Sequence, residues 1–139
     1  MIIRPRRLRR TGTIRDMVHE THLSTQDFIA PLFVKHGKNI QDPIRSMPGQ
    51  FQFSPDTLVV EAEELWTSGV PALILFGLPD GKDPTGSRSW AEDGIVQIAV
   101  KEIKNRLPNM VVMTDVCLCE YTDHGHCGII LDGVVDNDS

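Results

Sequence analysis

Three short apolar runs, each followed by a polar loop, constrain what this chain can fold into. They are FIAPLFV (28–34), PALILF (71–76) and MVVMTDV (110–116). None alternates strictly between apolar and polar residues, although Pro31 interrupts the first. Strands that read this way are buried on both faces, as in a parallel sheet covered by helices. Two helical patterns separate them. Ser54-Pro55-Asp56 reads as a helix start, with a capping hydroxyl, a proline in the first turn and an early acid. Leu58, Ala62, Leu65 and Trp66 then share a core-facing side, and Gly69 stops the helix. Ile95, Ala99 and Ile103 mark a second helical face, capped by Asp93 and ended by Pro108. The polar segment 35–51, punctuated by Gly and Pro, reads as loop. Trp90 reads as an anchor for the loop 77–90. The order strand, helix, strand, helix, strand predicts an α/β domain.

The long loops at 77–90 and 117–128 both follow strand C-terminal ends. In a (βα)8 barrel that end carries the chemistry. A whole barrel needs roughly 250 residues, and 139 residues supply three or four units. Two architectures fit: a smaller doubly wound domain, or the N-terminal portion of a (βα)8 TIM barrel. The ending GIILDGVVDNDS offers no element that would close a domain, which favours the second. Residues 24–139 are then the first βα units of an incomplete barrel. Residues 1–23 precede them as an extended arm, broken by Pro5 and Gly12.

The net charge of -5 is unevenly spread. Arg4, Arg6, Arg7, Arg9 and Arg10 lie in the first ten residues, which leaves -10 for the rest. A basic arm on an acidic body fits contact with a neighbouring subunit. Nucleic-acid binding would want aromatic side chains among the arginines, and the arm has none. No apolar stretch follows these arginines as in a secretory signal. No apolar run approaches the roughly 18 residues of a membrane span. The expectation is a cytoplasmic protein that binds neither nucleic acid nor membrane.

All three cysteines fall within eleven residues, as C-x-C-x7-C: Cys117, Cys119 and Cys127. An odd count argues against a closed disulfide framework, and clustered thiols in a reducing compartment point to metal or reactivity. Thiolates are soft ligands that favour zinc. In C-x-C both sulfurs can reach one ion only if the chain leaves the flat strand, where they would face opposite sides. Gly125 gives the third sulfur a way back. Three thiolates without a compelling fourth ligand leave a coordination position open. His124 and His126 are alternative ligands, or donors around the ligands. Asp115 either makes a loop hydrogen bond or directs its carboxylate into a site at the strand end. Lys82 and Lys35 read as surface lysines.

The stretch TDVCLCEYTDHGHCGI (114–129) resembles the zinc-binding signature of the porphobilinogen synthase (5-aminolevulinate dehydratase) family. RPRRLRR (4–10), LSTQDFIAPLFV (23–34), SMPGQF (46–51), LFGLPDGKDPTGS (75–87) and DGIVQIAVKEIK (93–104) resemble further family segments in the same order. The resemblance implies a (βα)8 barrel whose N-terminal arm wraps a neighbouring subunit of a homo-oligomer, commonly an octamer. It implies an enzyme that condenses two molecules of 5-aminolevulinate to porphobilinogen, with loss of two waters, in tetrapyrrole (heme) biosynthesis. It implies a catalytic Zn²⁺ held at the positions of Cys117, Cys119 and Cys127, and an active-site wall that includes Asp115. Members in which acids replace the cysteines use magnesium, so three retained thiols place this chain in the zinc branch. An allosteric Mg²⁺ in the full-length parent is compatible with the family. The family's two Schiff-base lysines lie on late barrel strands, beyond residue 139, so the isolated chain is expected to be inactive. The alternative is a non-catalytic zinc-binding or regulatory module derived from the barrel front.

Overall fold

The computed structural model describes residues 6–138. Its strands are β1 (Ile29–Lys35), β2 (Gln41–Pro43), β3 (Phe51–Phe53), β4 (Ala72–Leu78), β5 (Val111–Thr114), β6 (Ile129–Leu131) and β7 (Val134–Asp136). Its helices are α1 (Gly12–Met17), α2 (Pro55–Thr67) and α3 (Ile95–Arg106). The first five strands form one sheet in the order β2-β3-β1-β4-β5. β3, β1, β4 and β5 run parallel, and β2 pairs antiparallel with β3 on one edge. The three apolar runs are thus neighbouring parallel strands joined through α2 and α3.

The register decides which architecture this is. β1 and β4 pair along their whole length, from Ile29 opposite Ala72 to Lys35 opposite Leu78. Ala30, Leu32 and Val34 therefore share a face with Leu73, Leu75 and Gly77, because side chains alternate along a strand. That face carries both helices: Leu58 and Ala62 of α2, and Ile95, Ala99 and Ile103 of α3, join Leu32, Val34, Leu73 and Leu75 in one buried cluster. On the other face, Phe33 and Phe76 stack with ring centroids 5.4 Å apart. Doubly wound sheets place helices on both faces. Helices on one face of consecutive parallel strands are the arrangement of a barrel wall, so the doubly wound alternative is set aside.

Several local expectations need correction. The segment 35–51 is not all loop: β2 lies within it and β3 begins at its end, the two paired antiparallel through their backbones. Trp66 is substantially exposed rather than core-facing, and Trp90 is 62% exposed and anchors nothing inward. Asp93 does not cap α3; Gly94 is the N-cap residue, and the Asp93 carboxylate lies 3.5 Å from Arg88. The ending is not featureless either. β6 and β7 form a separate antiparallel hairpin around Asp132 and Gly133, both with positive φ. Asp-Gly between apolar pairs is a strong hairpin signal. The arm is locally helical, not extended: the Thr11 hydroxyl accepts from the Ile14 amide (3.2 Å) and starts α1. From residue 6 to 24 only Ile14 is even partly buried. Residues 1–5, including Arg4, lie outside the described residues. Among the described residues no helix is long and apolar enough to cross a membrane.

Ser54 is the N-cap residue of α2, yet its hydroxyl does not cap the helix. Fully buried, it accepts from the Ile40 amide (2.9 Å) and donates to Asp56 (2.5 Å). The Ile40 carbonyl in turn accepts from the Ser54 amide and the Thr57 hydroxyl. The loop after β1 is thereby fastened to the start of α2. Removing the hydroxyl leaves a part-buried amide without its partner, which costs about 1–3 kcal/mol. Ser54→Ala should lower the stability of the folded domain by that amount in urea unfolding with an unchanged m-value. A loss below about 0.5 kcal/mol, the lower end for a net hydrogen bond, would show that this clamp contributes little.

Candidate metal centre

β5 ends at Thr114, but its ladder runs one residue further, because the Asp115 amide donates to the Leu75 carbonyl (3.2 Å). The chain then turns sharply. The amides of Tyr121 and Thr122 both donate to the Leu118 carbonyl, at 2.8 and 2.9 Å. This turn takes Cys117 and Cys119 out of the flat strand and brings their sulfurs to 2.8 Å. Gly125, at φ 73°, allows the chain to double back in the left-handed region. Cys127 returns to within 3.3 Å of Cys117, sulfur to sulfur. All three sulfurs lie within 4.8 Å of one another, and Cys127 is exposed.

The donor set fits a thiophilic cation. Zinc–thiolate bonds of about 2.3 Å at tetrahedral angles put sulfurs about 3.8 Å apart, so small side-chain rotations would open the trio around one ion. The trio without an ion is not three equivalent thiols. Hydrogen bonding to Cys119, and then to Cys127, pushes the Cys117 thiol up to about 12. Cys127 is lowered, first by the hydrogen bond from Cys117 and then by the backbone N–H groups of Cys119 and Leu118. Amides directed at a sulfur stabilise its thiolate, the form that binds metal. The cluster can therefore hold a metal ion.

The trio leans on the preceding loop. Asp83 and Thr122 form an isolated parallel bridge. The Asp83 amide donates to the Tyr121 carbonyl, and the Asp123 amide to the Asp83 carbonyl, both at 3.3 Å. The Asp83 carboxylate shapes its own loop, accepting from the Ser87 hydroxyl (2.5 Å), the Thr85 hydroxyl (2.7 Å) and the Thr85 amide (2.9 Å). Those bonds, Ser87 first, hold its carboxyl far below the usual carboxylate range. The sequence draws attention to Lys82 in this loop and not to Asp83. The signal it does carry is D-x-T-x-S, an acid followed by hydroxyls at turn spacing.

His124 and His126 stack 5.9 Å apart, but the hydrogen bonds of His124 go to backbone. Asp115 borders a cavity of about 520 Å³ together with Gln97, Thr114, Cys117 and Tyr121. Cys117 alone of the trio borders it, so the cavity lies beside the cluster rather than over it. Burial, and then the Asp115 charge, raise Glu120, while Lys82 offsets part of that. Tyr121 is raised by burial and by the charges of Glu120 and Asp115. A metal-capable trio and several acidic groups thus share the C-terminal end of the sheet.

The family model for delta-aminolevulinic acid dehydratase matches residues 2–139. A delta-aminolevulinic acid dehydratase of Ruminiclostridium josui is 51% identical over 138 residues, covering 99% of this chain and 67% of the relative. The one from Halalkalibacterium halodurans is 48% identical, and the match covers 97% of this chain but 41% of that protein. Among solved structures, the Toxoplasma gondii delta-aminolevulinic acid dehydratase in complex with porphobilinogen superimposes with a TM-score of 0.93 at 32% identity. That match covers 99% of this chain and 40% of the other. The chain thus spans about two fifths of the length of most of these relatives, and it belongs to the delta-aminolevulinic acid dehydratase family.

Proposed function

We propose that this chain is the metal-holding part of a zinc-dependent porphobilinogen synthase. The complete protein condenses two 5-aminolevulinate molecules to porphobilinogen, with loss of two waters. The observation that carries this reading is the meeting of three thiols at the C-terminal end of β5, in a chain matched by the family model from residue 2 to 139. Cys117, Cys119 and Cys127 hold the zinc, and Asp115 belongs to the active-site wall. Zinc, when bound, supplies Lewis-acid polarisation of a substrate carbonyl. The residues around the trio supply placement: backbone amides of Leu118 and Cys119 favour the Cys127 thiolate, and Tyr121 closes one side of the adjoining cavity.

The chain by itself is proposed to be inactive. A Schiff-base amine must be neutral near pH 7 and aimed at the substrate. Lys35 is paired with Asp42 at 2.6 Å. Lys104 donates to the carbonyls of Pro108 (2.7 Å) and Met110 (2.9 Å), at the opposite end of β5 from the thiols. Lys38 and Lys101 are exposed, and Lys82 faces the acidic group Glu120. This supports the reading that the Schiff-base lysines belong to the remainder of the barrel.

The arm is proposed to pack on a second copy of the protein. Leu8, Met17 and Leu23 are at least 60% exposed, an apolar surface suited to a partner.

Cys119→Ala in the complete protein should lower bound zinc at least tenfold by elemental analysis, with Cys117→Ala and Cys127→Ala alike. Unchanged zinc in all three would end the assignment. The complete protein should form pyrrole from 5-aminolevulinate, whereas residues 1–139 should not, and borohydride should trap no substrate adduct on their lysines. Turnover with a trapped adduct would show that this chain carries the amine. Deleting residues 1–12 from the complete protein should shift its sedimentation toward smaller oligomers; an unaltered distribution would count against the arm as a subunit contact.

A further inference from the structure

We propose that His124 is a positioning residue for the thiol trio, a neutral imidazole latch between two loops rather than a metal ligand. This rests on the metal reading above. The two hydrogen bonds of His124 fix its tautomer. Its Nε2 lies 3.1 Å from the Pro84 carbonyl oxygen, which can only accept, so Nε2 carries the hydrogen and donates. Its Nδ1 lies 3.2 Å from the His126 amide, which can only donate, so Nδ1 accepts. Both ring nitrogens are spent on backbone, and no lone pair is left for a cation.

The latch sits where it controls the spacing of the sulfurs. Cys119 precedes the segment 121–126, and Cys127 follows it. The segment is held at its start by the Asp83 bridge to Tyr121, Thr122 and Asp123. The buried Thr122 hydroxyl donates to the His126 carbonyl (2.9 Å) and closes the segment on itself. His124 adds the side-chain tie to Pro84, the residue after Asp83. The turn that presents the Pro84 carbonyl is built by the Asp83 carboxylate on Thr85 and Ser87. Cys127 therefore returns to Cys117 along a path templated by the loop after β4. Groups that orient ligands without touching the metal typically change affinity about 10–100-fold when removed.

Cobalt(II) bound in place of zinc in the complete protein reports both the donor set and the affinity. His124→Ala should bind cobalt about tenfold or more weakly, in competition with a chromophoric chelator, while its thiolate-to-cobalt charge-transfer and ligand-field bands at saturation match the parent's. His124→Gln, whose amide can still donate toward Pro84, should recover part of the loss. Asp83→Asn, which disturbs the turn that presents the Pro84 carbonyl while leaving the His124 ring in place, should weaken binding in the same direction and keeps the proposal testable if His124→Ala does not fold. Altered ligand-field bands in His124→Ala would make His124 a ligand and overturn the proposal. A lowered melting temperature with parental cobalt affinity would also overturn it, leaving a purely structural role. A parent protein with no thiolate-to-cobalt band would instead overturn the metal reading, a failure distinguishable from both.

Discussion

The seven-residue parallel pairing of β1 with β4 is the constraint on which the rest depends. It sets the parity of the sheet, so Leu32, Val34, Leu73 and Leu75 bury together and receive α2 and α3 on the same side. It also sets polarity. Because β5 is parallel to β4, the chain leaves β1, β4 and β5 from the same end of the sheet. Residues as distant in sequence as Asp83 and Thr122 can then pair. An antiparallel arrangement of the same runs would send the two long loops to opposite ends, and the thiols would lose the loop they lean on.

Much of this is legible in the sequence for a simple physical reason. Strands buried on both faces must be apolar throughout, and amphipathic helices must repeat their apolar residues near every third or fourth position. Ile95, Ala99 and Ile103 can be read as a face because burial is periodic there. The choice between a barrel wall and a doubly wound sheet is not readable from apolar periodicity, since it depends on the side to which each crossover returns; the family resemblance is what points to the barrel. β2 and β3 escape because Gln41-Asp42-Pro43 carries no strand signature, and their pairing is made by backbone groups. Ser54 reads correctly as the helix-start residue, but its partner Ile40 lies 14 positions upstream. No local rule connects the two.

The candidate site divides in the same way. Cys117, Cys119 and Cys127 are legible as a candidate metal site because soft donors clustered in so short a stretch suit a soft cation better than they suit a core. The two histidines are ambiguous, because an imidazole beside thiols looks the same in sequence whether it ligates or donates. Only the positions of the Pro84 carbonyl and the His126 amide separate the roles of His124. Asp83 is hard to see because its importance lies in the fold of its own loop and in its backbone. Neither a carboxylate in a glycine-rich loop nor a peptide group has a sequence signature of bridging.

The electrostatics around the trio account for a scaffold that is largely uncharged. Three sulfurs this close cannot all shed their protons without an ion between them. The upward displacement of Cys117 and the downward displacement of Cys127 are the two sides of that competition. Asp115 and Glu120 add negative charge nearby, which is part of why Glu120 is raised. A scaffold built from further acids would compound this repulsion, and one built from lysines or arginines would compete with the metal for the thiolates. The groups that hold the segment 121–126 in shape are instead mostly backbone amides and carbonyls, the Thr122 hydroxyl and a His124 ring whose hydrogen bonds go to backbone, while the one carboxylate involved, Asp83, shapes the preceding loop. Such groups fix geometry through directional bonds while leaving the negative potential at the sulfurs largely intact. A divalent cation among the three sulfurs would offset most of that potential, since two positive charges set against three thiolates leave one negative charge in place of three.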